Sequence, residues 1–160
     1  MRGLARESRP DSSAACTSLH RWLIAHPSIR TLAAFSPLPD EVDLAAAIAL
    51  HPEIRWVYPR VIGEHLTFHP GDSLQPGAFS ILEPSPGSPE IPLREIDAFL
   101  CPGLAFDLHG GRLGRGRGFY DRLLAQARPD ALRLGICQAF QIVPDTFSEP
   151  HDVMMHEVLF

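Results

Sequence analysis

Thr31-Leu32-Ala33-Ala34-Phe35, then Glu41 to Leu50, then Arg55-Trp56-Val57-Tyr58 is the stretch that decides the fold. The first piece is short, apolar and bounded by Pro37, which reads as a buried strand. Ser36-Pro37-Leu38-Pro39-Asp40 is a loop. Glu41 to Leu50 reads as a helix that stops at His51-Pro52, because the residue before proline is pushed out of the helical region. Arg55 to Tyr58 reads as the next strand, closed by Pro59. Strand, helix, strand in this order implies two parallel strands joined by a crossover. In such a sheet the ligand sits beyond the carboxyl ends of the strands.

The same pattern extends in both directions. Residues 1–10 are polar and expected to fray. Asp11 or Ser12 caps a helix running to about His26, stopped by Pro27, with Leu19, Trp22 and Leu23 on its apolar face. His65 to His69 alternates after a glycine and reads as a strand of a hairpin. Residues 70–92 are rich in Pro and Gly and read as a loop. Ile96 to Cys101 and Leu132 to Cys137 are buried strands, Phe119 to Ala127 is a helix, Ala139 to Val143 runs into Pro144, and Val158-Leu159-Phe160 is a last apolar piece. The expectation is one domain over residues 1–160, an α/β three-layer Rossmann-like fold with a mostly parallel central sheet.

The chain has 160 residues, 45% hydrophobic and 21% charged, an ordinary balance for a globular protein with a real core. All 14 basic residues are arginine and asparagine is absent, which matches the codon bias of a GC-rich genome. The lack of lysine excludes Schiff-base chemistry on a lysine. Cys16, Cys101 and Cys137 are far apart and form no CxxC pair, so they read as thiols of a reducing compartment, Cys101 and Cys137 buried in apolar runs. The N-terminus has no apolar signal region. Leu44 to Leu50, the longest aliphatic run of the first half, falls far short of a membrane span. These features lead us to expect a cytoplasmic protein with no membrane partner; the expected state is a monomer.

Chemistry concentrates in Arg112-Leu113-Gly114-Arg115-Gly116-Arg117-Gly118-Phe119-Tyr120-Asp121. Arginines 112, 115, 117 and 122 against one acid give residues 112–122 a charge of +3, in a chain whose total is −5. Glycines let a backbone approach a ligand, and successive N–H groups leading into a helix N-terminus form an anion site. A local reversal of sign in an acidic chain points to a polyphosphate ligand rather than a nucleic-acid surface. Asp121, just past the loop, is placed to hold Mg²⁺, which takes one or two carboxylates plus phosphate oxygens. The competing readings are a solvated turn and an RGG-like tail, but a tail would not run into an apolar helix. The loop is neither a Walker A, which needs lysine, nor a Rossmann fingerprint.

The run Pro102-Gly103-Leu104-Ala105-Phe106-Asp107, then Gly110 or Gly111, then Arg112-Leu113-Gly114-x-Gly116-x-Gly118-Phe119-Tyr120-Asp121-Arg122 resembles the signature of the 5-formyltetrahydrofolate cyclo-ligase family. Gln141, the Pro144 loop, His151-Asp152 and Glu157-Val158-Leu159 resemble its C-terminal segment. Pro37 to Asp43 and Tyr58-Pro59-Arg60 resemble its earlier loop and strand exit. The similarity covers roughly residues 30 to 160. It implies ATP- and Mg²⁺-dependent closure of a reduced formyl folate, 5-formyltetrahydrofolate, to 5,10-methenyltetrahydrofolate with release of ADP and phosphate. It also implies roles. Gly114, Gly116 and Gly118 present N–H groups to phosphate, and Arg112, Arg115 and Arg117 neutralise it, with Arg115 and Arg117 the expected catalytic pair. Tyr120 belongs to the ATP site, Glu41 and Phe119 to the folate site, and Asp121 and Asp152 to the metal.

The sequence departs from the family in three places. Family members begin with a longer basic helix that helps hold ATP, and here the first residues are few and lysine-free. Phe119 stands where the family commonly has Tyr, and His156 where an acid is common. The short N-terminus and His156 support an alternative, a non-catalytic folate- or nucleotide-binding relative with an incomplete ATP site. An RNA-associated protein using the Gly/Arg loop is opposed by the net charge of −5. A zinc pair at His65 and His69, and a serine nucleophile at Ser85 or Ser88, are weaker candidates, because the first lies on a strand and the second lacks a base.

Overall fold

The computed structural model describes residues 10–77 and 81–160; the stretch 1–9 of the segment expected to fray lies outside the described residues. In chain order the elements are α1 (Ser13–Ala25), β1 (Thr31–Ala33), α2 (Ala45–Ala49), β2 (Arg55–Ile62), β3 (His65–Pro70), β4 (Leu74–Pro76), β5 (Leu82–Pro84), β6 (Ala98–Cys101), β7 (Ala105–Phe106), β8 (Arg112–Leu113), α3 (Phe119–Gln126), β9 (Leu132–Ile136) and β10 (Glu157–Leu159).

Six strands form the central sheet, in the order β10-β9-β6-β1-β2-β3. All pairs are parallel except β2 with β3. The alternation of side chains across the sheet makes two cores. Leu32, Ala34, Ala98 and Leu100 face α1 and α2, where Ala15, Leu19, Trp22 and Leu23 form a stripe at helical spacing. Ala33, Val57, Phe99 and Cys101 face the other way, onto Phe68, Phe106 and Leu123-Leu124 of α3. This is the three-layer α/β arrangement that the sequence pattern implied.

Four local readings change. The helix expected from Glu41 begins at Ala45. Residues 38–41 instead close a turn, with Glu41 N–H donating to Leu38 C=O at 3.0 Å and the Glu41 carboxylate accepting Leu38 N–H at 2.8 Å. A side-chain bond of this kind competes with the helix. Second, Pro59 does not close β2, which runs on to Ile62. Its partner Phe68 accepts the N–H of Ile91 on the far side. Pro59 therefore sits at a non-hydrogen-bonded position of the antiparallel ladder, where no donor is needed. Third, the 70–92 segment is not all loop, since β4 and β5 pair antiparallel within it. Fourth, the segment 139–143, to which the sequence pattern assigns no element, contains a 3₁₀ turn at Ala139–Gln141.

The N-terminal edge of the sheet is tied by Asp97. Its Oδ2 accepts the N–H groups of Arg30 and Thr31 at 2.9 Å each, and its Oδ1 accepts from Arg128 Nη2 at 3.0 Å. One carboxylate thus joins the start of β1 to the turn after α3, and these bonds hold its pKa below the ordinary carboxylate value against the opposing push of burial. Asp97→Ala should cost about 1–3 kcal/mol, the penalty for leaving partly buried donors unpaired. Urea denaturation would show it as a lowered midpoint with an unchanged slope.

Candidate functional site

The strand order reverses at β1. The chain steps from β1 to β2 on one side, passes through β3, and returns with β6 on the other side of β1. At that switch point the loops leaving β1 and β6 diverge and leave a crevice beyond their carboxyl ends. The loop after β1 carries Asp40 and Glu41; the chain after β6 carries the Gly/Arg loop. They meet there. Arg115 Nη2 lies 3.2 Å from both Asp40 oxygens and 3.7 Å from Glu41 Oε2.

Glu41 is 8% exposed. Burial pushes its carboxyl above the ordinary value, opposed by the Leu38 N–H and the Arg115 charge, and assisted by the neighbouring Asp40. The turn that displaced the helix start is therefore what holds this acid in the crevice. Asp40 was not among the candidate residues; its charge beside the loop is legible only once the two segments are known to meet.

Arg112 is the fixed arginine of the loop. Its side chain is 6% exposed, its Nη1 donates to Pro102 C=O at 2.9 Å, its Nη2 lies 3.8 Å from Asp121 Oδ1, and its guanidinium stacks over Tyr120 at 5.4 Å. Its Nε is buried and has no hydrogen-bond partner among the described residues. Tyr120 lies within the fields of Arg112 and Glu41, and burial raises its phenol pKa, so it stays neutral. Arg115 and Arg117 are exposed. Gly116 and Gly118 have φ of +92° and +68°, conformations that disfavour any side chain, and no side chain caps the start of α3 at Gly118. An orphaned buried donor, a bare backbone turn and an uncapped helix start fit a phosphate group. Phe119 points elsewhere: it lies under Arg122 at 5.5 Å and lines a cavity of about 200 Å³ against β3 with His65, Leu66 and Glu90. Arg122 donates to Glu64 C=O at 2.7 Å.

Asp121 and Asp152 are held separately. Asp152 Oδ2 accepts Glu149 N–H at 2.7 Å and its Oδ1 lies 3.5 Å from His151 Nε2. The side chains of Asp121 and Asp152 are 43% and 30% exposed. Each is an accessible hard oxygen donor of the kind Mg²⁺ takes, an ion that keeps most of its waters. Among the described residues no group of three or more His, Cys, Asp or Glu side chains is arranged to hold a metal ion. His156 accepts Arg133 N–H at 2.9 Å between β9 and β10, and burial with the nearby Arg133 charge lowers its pKa, so it is a neutral strand tie.

Asp107 escaped the sequence reading as a site residue. It is 3% exposed and its carboxylate accepts four hydrogen bonds: Oδ1 from the N–H of His109 and Gly111, Oδ2 from the N–H and hydroxyl of Thr146. Burial pushes its pKa up, but these bonds outweigh that and bring it down to about 2.

The weaker candidates resolve simply. His69 is buried, with Nδ1 facing the carbonyls of Ser88 and Pro89 and Nε2 facing Thr67. Ser85 Oγ bonds to Ser73 Oγ and Ser88 Oγ, with no base among these partners. Trp22 is core, and Trp56 packs against it. Cys101 and Cys137 are buried and their thiols are pushed up to about 12 by burial. No helix of the described residues is long and apolar enough to cross a membrane.

Sheet order and loop placement define the chain as a doubly wound α/β protein with a glycine- and arginine-rich loop at its switch point. A sequence model of the 5-formyltetrahydrofolate cyclo-ligase family matches residues 45–160. The chain belongs to that family. It is 30% identical over 142 residues to a 5-formyltetrahydrofolate cyclo-ligase of Mycoplasma pneumoniae, covering 86% of this chain and 77% of that one. It is 40% identical over 95 residues to one of Mycolicibacterium smegmatis, covering 58% of this chain and 47% of the relative, so it spans about half that protein's length. The structure superposes on a 5,10-methenyltetrahydrofolate synthetase from Mycoplasma pneumoniae with a TM-score of 0.77 at 27% identity, over 92% of this chain and 83% of the other. The Aquifex aeolicus enzyme of that name gives 0.77 at 28%, over 92% and 78%.

The depressed pKa of Asp107 makes a pH prediction. A carboxyl whose folded value lies below its unfolded value stabilises the fold above the unfolded value and loses that effect as pH falls through the folded one. Asp107→Asn should therefore be destabilised relative to wild type at neutral pH, and the gap should narrow as pH falls from about 4 toward about 2. Denaturation midpoints across that range read it directly.

Proposed function

We propose that the protein catalyses ATP- and Mg²⁺-dependent closure of 5-formyltetrahydrofolate to 5,10-methenyltetrahydrofolate. The observation that carries this reading is Arg115 bridging the Gly/Arg loop to Asp40 and Glu41 across the switch point. It unites a phosphate-type loop with a buried acid in one crevice, as a reaction joining a polyphosphate to an amide-bearing ring requires. A formyl amide oxygen leaves poorly. It takes the γ-phosphoryl group of ATP, ADP departs, N10 bonds to the activated carbon, and the oxygen leaves with phosphate as N10 gives up its proton. No protein nucleophile is needed, and the work falls to alignment and charge stabilisation.

The chain's own residues divide that work. Gly114, Gly116 and Gly118 supply a backbone free of side chains, and Arg112, with its unpaired Nε, supplies a fixed positive charge. Arg115 and Arg117 are the exposed cations that follow charge toward the transferred group. Glu41 offers its carboxyl to the N–H edge of the substrate's ring. Asp121 and Asp152 would hold Mg²⁺, which neutralises phosphate oxygens when bound. Phe119 contributes through the α3–β3 cavity rather than through the crevice. Free cysteines, two of them buried, agree with the cytoplasm as the working compartment.

The test is the near-ultraviolet absorbance of the methenyl product, followed with 5-formyltetrahydrofolate and Mg²⁺, with and without ATP. An ATP-dependent rise is expected, with Arg115→Ala lowering kcat about 10²- to 10³-fold, the usual loss for a transition-state donor. A folded wild-type protein that binds ADP but forms no product would instead establish the non-catalytic relative.

A further inference from the structure

Taking the proposed magnesium nucleotide site as given, we infer that Asp107 and Thr146 are positioning residues that set the spacing between the Asp121 and Asp152 arms. Both arms leave from one clasp. On one side, Asp107 Oδ1 accepts Gly111 N–H at 2.9 Å. The next residue, Arg112, reaches Asp121 at 3.8 Å, so the clasp fixes the base of the loop and, through Arg112, the start of α3. On the other side, Asp107 Oδ2 accepts Thr146 N–H at 2.9 Å and Thr146 Oγ1 at 2.7 Å. From Thr146 the chain runs to Asp152, and it returns to the same turn at Met155, whose N–H donates to Gly110 C=O at 2.7 Å. The segment bearing Asp152 is thus pinned at both ends to the five residues that begin the Gly/Arg loop.

The packing at the clasp leaves no slack. A Cβ on Gly111 would overlap Thr146 Oγ1 and the Asp107 carboxylate, and a Cβ on Gly110 would overlap Met155 C=O. The two backbones approach to that distance only because both positions lack side chains. A carboxylate is suited to the centre, since it accepts on both oxygens and donates on neither. Every lone-pair direction it offers is used by a donor from one arm or the other. Groups that orient the ligands of an ion govern its affinity nearly as strongly as the ligands do. Here the orienting group acts on both arms at once.

The decisive comparison is Thr146→Val with Thr146→Ser, both measured for ADP binding by calorimetry across a Mg²⁺ titration. Wild type is expected to bind ADP with a defined Mg²⁺ midpoint. Thr146→Val removes one bond to Asp107 at constant shape and should raise that midpoint by about 10- to 100-fold. Thr146→Ser keeps the hydroxyl and should restore it. A Thr146→Val protein with a lower melting temperature but the wild-type Mg²⁺ midpoint would overturn the inference and leave the clasp as mere structure. A wild type whose ADP binding ignores Mg²⁺ would overturn the metal reading itself, a result visible before any variant is made. Should the valine variant not fold, amide exchange on wild type decides: the Gly111, Thr146 and Met155 amides should slow when Mg²⁺ and ADP are added together. No change at those three amides, with binding confirmed, would overturn the inference equally.

Discussion

β1 is three residues long, and both its neighbours run parallel to it. Parallel strands need a crossover between them, and the crossovers that leave β1 toward β2 and return toward β6 go opposite ways. The two loops at its carboxyl end are thereby driven apart, and no side chain decides this. What the side chains decide is what fills the gap. β1 is buried on both faces, with Leu32 toward α1 and Ala33 beside Phe99 on the opposite face, so it cannot slip by one residue without exchanging the two cores. A locked register at the central strand fixes where Asp40 and Glu41 emerge. Everything placed against them inherits that precision.

The second closure is electrostatic rather than topological. β6 delivers the chain to β7, β8 and the Gly/Arg loop, but β7 and β8 are two residues each and, among the described residues, pair with one another and, at one bridge, with Ile142. So short a hairpin has little backbone to hold it. The buried Asp107 carboxylate supplies what the ladder cannot, gathering two donors from its own turn and two from Thr146, 39 residues further on. A charge in that position would be costly without them, since a buried ion is tolerated only when it is fully hydrogen-bonded. The same four bonds that make the charge tolerable also make the geometry specific.

How far this was legible in the sequence follows the range of the interactions involved. The apolar strand pieces and the helix stripe of Leu19, Trp22 and Leu23 are local patterns, and the sheet they imply is the sheet observed. Proline and turn signals misled where a neighbouring strand or carboxylate overrode them. Pro59 continues β2 because its missing donor faces no acceptor, and Glu41 ends a turn rather than starting a helix because Leu38 N–H claims its side chain. The Gly/Arg loop stood out by charge, and its meeting with Glu41 follows from the fold. Asp107 lay within the quoted motif, yet nothing adjacent marks it as a hub, because Thr146 reaches it only through tertiary contact. His156, which stands where the family commonly has an acid, is a backbone acceptor for Arg133.

The two arginines on either side of Gly114 show how one loop can be both rigid and responsive. Arg112 is enclosed, bonded to Pro102 and stacked on Tyr120; moving it would uncover Asp121 and strand a carbonyl. Arg115 is 40% exposed and pairs with Asp40, itself 67% exposed, and such surface pairs contribute about 1 kcal/mol or less. In the proposed reaction a polyphosphate arriving at the loop would compete with Asp40 for Arg115, whereas Arg112 would keep its own partners. Glu41 shifts the balance further. Burial already resists its ionisation, and Arg115 is one of the two groups that favour its charged form. Drawing Arg115 toward phosphate would therefore weaken the hold on the Glu41 charge, so the proposed phosphate and ring ends of the crevice would be coupled through a single guanidinium.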